Sequence, residues 1–304
     1  MAQAELRDSI GRLNFLSFES RSRSQAAPWL FAAFVAGHLV ALYAAIAVLF
    51  PVTMQQQLSA GPWAIVMTCL LCSLAFCFGE YFFHRYLLHI EAARIVGRLC
   101  TSHLAHHKLT SIGFDDVQRS VRSAYAIKSA ADDHSATFPP WALAAFFAFW
   151  TPLFAAVAFS FPRFPILLAG YAALAIAHFL YEIIHVAHHL PYDQWWKARI
   201  ERGIAAPLWR KLYGFHQAHH ANYRCNLNVA GFFGLPLADL AFGTYKQPAT
   251  LLLDGAPATK ALARELTPVP RWPIWWLDGL VLERRRRMSK EDEARRHRHP
   301  SCST

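Results

Sequence analysis

Eleven of the sixteen histidines fall in four short groups: His84 and His89; His103, His106 and His107; His185, His188 and His189; His216, His219 and His220. Each group adjoins or follows a stretch apolar enough to lie in a bilayer, so the fold must gather imidazoles beside a membrane. On a helix turning about 100° per residue, positions i, i+3 and i+4 share a face, so each triplet can project its rings together. His84 and His89 lie about 140° apart around an ideal helix. Either they serve different ions, or the helix is distorted or ends between them. Imidazole is the commonest neutral metal ligand and suits iron, zinc, copper and nickel. About nine or ten such ligands exceed the three or four that one zinc takes, so two metals are the economical reading.

Hydropathy decides the setting. With 55% apolar residues, 14% aromatics and a mean hydropathy of +0.20, the chain reads as a membrane protein with polar segments. Four spans are expected at about 28–50, 62–83, 139–161 and 165–184. They form two hairpins, and the first is too long and lacks the cleavage site for a signal peptide. His38, alone in the first span, is read as a packed or lipid-interface residue. The stretch 229–242 is interrupted by Gly231, Gly234 and Pro236 and does not span, while Trp272, Trp275 and Trp276 suit the headgroup region.

Lys and Arg concentrate in the N-terminal, middle and C-terminal segments, and the hairpin tips carry only Arg163. The positive-inside rule then makes both termini and the histidine groups cytoplasmic. The expected architecture is all-α and integral to the membrane, with two hairpins of spans and a cytoplasmic helical cap carrying a dimetal site. Residues 1–27 form a cytoplasmic segment, 28–246 the membrane and histidine domain, and 247–304 an interfacial segment and basic tail.

The net charge of +10 owes much to Arg284, Arg285, Arg286 and Arg287 and to Arg295, Arg296 and Arg298. Beside membrane helices such a cluster faces anionic lipid or is a solvated tail, and no nucleic-acid partner is expected. The six cysteines form no disulfide or metal framework, and Cys69 and Cys72 read as small buried hydrophobes. His-Glu-x-x-His and Gly-rich nucleotide motifs are absent, which disfavours a zinc protease and a dehydrogenase.

In order, the groups read HRYLLH from His84, HLAHH from His103, HVAHH from His185 and HQAHH from His216. With the downstream LPLADLAFGTYK, this pattern resembles the fatty acid hydroxylase and sterol desaturase superfamily of membrane di-iron oxygenases, over residues 78–246. The resemblance implies ligation by His84, His89, His103, His106, His107, His185, His189, His216, His219 and His220. Tyr181, Glu182, His185 and His189 echo the third group of fatty acid 2-hydroxylases, the nearest in motif detail. His188 is then an extra that orients a ligand or faces substrate, with ligation as the alternative, and His178, seven residues before His185, is read similarly, with a satisfied buried histidine as the default.

The resemblance further implies two non-haem irons, which zinc can replace in purified material, and O2 as co-substrate. It implies hydroxylation of a lipid, a fatty-acyl or sphingolipid chain first. Sterol or carotenoid oxidation and desaturation stay open. With no cytochrome, ferredoxin or flavin segment in the chain, electrons come from a separate partner of cytochrome b5-like, ferredoxin or rubredoxin type. A histidine-rich metal transporter or store and a bis-histidine haem cytochrome are the competing readings.

Glu80 lies four residues before His84 and Glu182 three before His185, so each is expected to reach the outer nitrogen of that imidazole and raise its basicity. Asn226 and Asn228 either orient groups beside the last cluster or simply build a loop.

Overall fold

The computed structural model describes residues 28–90, 92, 97–127, 137–258 and 260–298. The N-terminal segment 1–27, Arg94, Lys128 and the last residues of the tail lie outside that set.

Prolines and a glycine punctuate the helices. After α1 (Pro28–Leu49), both α2 (Pro51–Leu58) and α3 (Pro62–Phe83) carry Pro in the first turn, where its missing N–H has no intrahelical partner to lose. Gly61, between them, has a φ of 82°, a conformation in which any Cβ would be strained. α3 runs directly into a π turn, His84–Leu88. There follow α4 (Gly97–Leu109), α5 (Ala142–Ser160) and α6 (Ile166–His188). A second π turn (Tyr192–Trp196) leads into α7 (Lys197–Arg202), α8 (Ala206–Ala221), α9 (Leu237–Phe242), α10 (Lys260–Glu265) and α11 (Ile274–Arg298).

The expectation of an all-α chain needs one correction. Between α4 and α5, β1 (Ile112–Asp115) pairs antiparallel with β2 (Ser120–Ser123). The turn is built by Asp115, whose Oδ1 accepts the N–H of Val117 and of Gln118, an arrangement in which a short acid side chain replaces a backbone acceptor.

Among the described residues, four helices are long and apolar enough to cross a membrane: Pro28–Leu49, Pro62–Leu88, Ala142–Ser160 and Ile166–His188. They match the expected spans closely, and the second and fourth run further, so His84, His185 and His188 stand on span ends. α6 is the hub on which α1, α3 and α5 pack. Half of its apolar window is buried, against 6% for α1. Large side chains such as Trp63, Phe149 and Phe159 point outward and are about three-quarters exposed, as lipid-facing residues would be. Gly170 lets α5 and α6 close up, since a Cβ there would stand 2.9 Å from the Phe154 ring.

The two connectors between spans meet each other. Gln57, fully buried, donates to the carbonyls of Pro162 and Phe164 and accepts the N–H of Leu167. At the histidine ends a second core takes over, around Tyr125, Trp196, Tyr213, Leu252 and Leu266. α11 packs instead on a further cluster, Ile274 with Tyr81 and Leu227, and is pinned there by Arg85 of the first π turn, which pairs with Asp278 through two nitrogens at 2.6 and 2.8 Å. The Tyr86 hydroxyl donates to the same carboxylate. Trp272, Trp275 and Trp276 are exposed.

Candidate metal centre

The four sequence groups resolve into two spatial ones. His84, His89, His103, His107 and His219 bring one ring nitrogen each to within 4.8 Å of one another, and so do His106, His185, His189, His216 and His220. All ten residues expected as ligands are present, five to a group. His188 and His178 belong to neither.

The π turn answers the question raised by the spacing of His84 and His89. Its i→i+5 bonding widens the helix and brings residues five apart onto one side, and the two rings lie 4.9 Å apart in the same group. They belong to one group and not to two. The triplets behave otherwise than expected: they do not project as units. His103 and His107 enter the first group and His106 the second, whereas His216 and His220 enter the second and His219 the first.

Hydrogen bonds fix which nitrogens face inward. Nδ1 of His84 donates to the carbonyl of Leu227 (2.6 Å), that of His219 to Cys225 (2.8 Å), and that of His189 to Tyr125 (2.8 Å). A carbonyl only accepts, so Nδ1 holds the proton in each and Nε2 keeps its lone pair. His220 follows suit: Thr110 gives its hydroxyl proton to the carbonyl of His106, leaving its oxygen to accept from His220 Nδ1 at 3.0 Å. The Nδ1 atoms of His89, His106 and His216 are buried without a partner.

Inward, the Nε2 atoms converge. His103 Nε2 lies 3.0, 3.2 and 3.1 Å from those of His84, His89 and His107. His219 Nε2 is 3.3 Å from that of His89 and 3.2 Å from that of His107. In the second group His189 meets His106 and His216 at 3.1 Å each, and His220 meets His216 at 3.1 Å. One imidazole N–H cannot satisfy three such neighbours, and facing lone pairs repel. A cation between them removes the conflict: two nitrogens each about 2.1 Å from one ion, with bonds at right angles, stand about 3.0 Å apart. An all-imidazole donor set suits iron, zinc, copper or nickel and not magnesium or calcium.

Electrostatics agree. Burial, reinforced by neighbouring rings, holds His89, His103, His106, His107, His189, His216 and His220 well below the usual imidazole range, and burial brings His219 to about 4. The rings are therefore neutral at physiological pH, the form that binds metal.

The acids act one step removed from the imidazoles. Glu80 does not reach the outer nitrogen of His84, which is taken by Leu227; its carboxylate accepts the N–H groups of Val229, Ala230 and Gly231 at 2.6 to 2.9 Å. Asp239, not singled out in the sequence, accepts those of Leu227 and Asn228 and the Thr244 hydroxyl. Asn228 bridges Cys77 to the start of α9, and Asn226 ties Phe215 to Lys246. All four hold the loop whose carbonyls aim His84 and His219, so the loop reading of the two asparagines stands. Glu182 accepts the N–H of Phe138. His188 is buried, stacked on His216 at 4.8 Å.

Two cavities approach the groups. One, of about 150 Å³, lies among α3, α5 and α6 and is lined by Phe76, Glu80, Phe146, His178 and Tyr181. A smaller one, of about 50 Å³, touches His103 of the first group and His185 of the second. Phe138 and Tyr181, with rings 5.2 Å apart, line both.

Fold and site together define a helical membrane protein with a paired, all-histidine site able to hold two metal ions. Compared with known proteins by family model, by sequence and by structure, the chain matches none.

Proposed function

We propose that the protein is a membrane non-haem di-iron monooxygenase that uses O2 and electrons from a separate donor to hydroxylate a C–H bond of a lipid. A fatty-acyl or sphingolipid chain is the first substrate class, and a sterol or carotenoid the second. The observation that carries this reading is the pair of five-nitrogen groups lying against each other, with His107 stacked on His220 at 4.2 Å, beside an apolar cavity among the spans.

His84, His89, His103, His107 and His219 would hold one iron, and His106, His185, His189, His216 and His220 the other. Bound iron supplies the activation of O2 that an unactivated C–H bond requires. The chain's own residues position and insulate. The carbonyls of Leu227, Cys225 and Tyr125 lock three rings in their tautomer and angle, and Glu80 and Asp239 hold the loop that presents two of those carbonyls. Phe76, Phe146 and Leu174 give the substrate an apolar path from the bilayer and keep bulk water away. No acid, base or nucleophile needs to act on the substrate, consistent with the protein's role of binding and aiming.

The bonds of Gln57 join the two connectors at one end of the bundle while the histidines gather at the other, which supports two hairpins. Basic residues cluster on the histidine side, which supports its cytoplasmic placement. Ligands at the span ends also weigh against a metal transporter, whose binding site would sit near the midplane.

The test is comparative lipidomics of host membranes carrying the wild-type chain or His106→Ala with His107→Ala, a pair that strikes both groups. An O2-dependent gain of one oxygen in a lipid, lost in the variant, is expected. Unchanged lipids in spite of two irons per chain and a competent electron donor would overturn the reading.

A further inference from the structure

His178 stands apart from both histidine groups, yet nothing in the apolar wall around it requires an imidazole. It lies on α6, is 8% exposed, and is enclosed by the rings of Phe31, Phe138 and Phe146 at 5.9 to 6.1 Å. Its Nδ1 is buried with no hydrogen-bond partner. A buried polar atom left in this state is destabilising, a cost that an aliphatic residue at 178 would avoid. The same ring lines the larger cavity. Of the other ionisable groups on that wall, Glu80 gives its carboxylate to three backbone N–H groups, and Tyr181 packs against Phe138 with its ring 5.2 Å away.

We infer that this cavity binds a lipid carrying a neutral hydrogen-bonding group within its apolar body, a hydroxyl, keto or amide, and that His178 is the residue that reads it. A carboxylate is disfavoured, because an ionised group in this apolar cavity would lose its hydration with no Lys or Arg on the wall to pair with it. The position of His178 sets a distance. It precedes His185 by seven residues on one helix, about 10 Å along the axis, and His185 lines the smaller cavity, which shares the Phe138 and Tyr181 side chains with the larger one. A ligand anchored at His178 would thus present to the histidine groups an atom about 10 Å from its polar group. This deepens the oxygenase reading and rests on it only in calling the ligand a substrate. It favours a lipid already functionalised away from the attacked carbon, such as a hydroxylated or keto-bearing chain or ring, over a plain acyl tail.

Binding can be measured without turnover. The full chain in nanodiscs is crosslinked with a photoactivatable C18 alkane, and octadecane and octadecan-9-ol are compared as competitors. The alcohol is expected to compete about tenfold better than the alkane, equivalent to ~1.4 kcal/mol, with the crosslink mapping to α3, α5 or α6. His178→Leu should abolish that preference while leaving competition by octadecane intact, and His178→Asn, which keeps an N–H near the position of Nδ1, should retain part of it. Equal competition by alcohol and alkane in the wild type, a preference that survives in His178→Leu, or crosslinks confined to other helices would each overturn the proposal. Because the wild-type comparison is itself decisive, failure of a variant to fold leaves the test standing. A preference found in a chain that oxidises no lipid would sink the oxygenase reading and spare this one.

Discussion

At the scale of single residues, the eleven clustered histidines are legible in the sequence, because histidine is rare and three groups have the spacing of a helical turn, while the choice of ten donors among them follows from the family resemblance. Their division is not legible there. Relative to position i, position i+4 lies about 40° to one side and i+3 about 60° to the other, so a triplet midway between two ions divides between them, and only the fold reveals that it sits midway. The orienting partners are hidden for another reason: a backbone carbonyl such as that of Tyr125 or Leu227 has no residue type to betray it. The division itself can be tested. His103→Ala and His216→Ala should each reduce bound metal from two ions per chain to about one, measured by elemental analysis of purified protein. Acid should also destabilise the metal-free chain. Burial brings His219 to about 4, below the ordinary value near 6.5 that it regains on unfolding. The unfolded chain therefore binds more protons between those values, and stability rises with pH across that window. Melting temperatures of chelator-treated protein should fall between pH 7 and pH 5, and a flat profile would contradict neutral buried rings.

Among the elements, punctuation is readable and local distortion is not. Pro51, Pro62 and Gly61 mark helix starts that the chain obeys, whereas the π turn at His84–Leu88 declares itself only through a five-residue spacing that a regular helix cannot use. Asp239 gives no signal because one acid in a short apolar stretch has no periodicity to stand out from; its burial is what gives it meaning. Asp239→Ala leaves the N–H groups of Leu227 and Asn228 without their acceptor. We expect a loss of about 2–4 kcal/mol, together with weaker metal binding in the first group, read by chemical denaturation and by metal titration. Where α5 meets α6, Gly170→Val drives a branched side chain into the Phe154 ring. Overpacking of this kind typically destabilises by about 1–3 kcal/mol, visible as a lower melting temperature with the metal groups intact.

For the whole molecule, hydropathy carries the number and limits of the spans, since a bilayer admits few alternatives. The hub has a partial signal, since α6 carries His178, Tyr181, Glu182, His185 and His188 among its apolar residues whereas α1 is apolar nearly throughout, but which helices pack on it cannot be read. The proposed topology makes a labelling prediction. In a chain whose native cysteines are replaced, Arg163→Cys at the meeting point of the connectors and Ile204→Cys, fully exposed on the histidine side, should react with an impermeant maleimide from opposite faces of sealed vesicles. Reaction from the same face would overturn the hairpin arrangement. The exchange of His106 and His219 between the groups has a temporal consequence as well. During synthesis the first half emerges with four of the first group's five donors, and the second half supplies four of the second group's. Neither ion can therefore find a full set of donors until the last histidine triplet has left the ribosome. Ions seated afterwards would bridge the two halves, adding to the packing of α1 and α3 on α6, so stripping them should lower the melting temperature of both halves together.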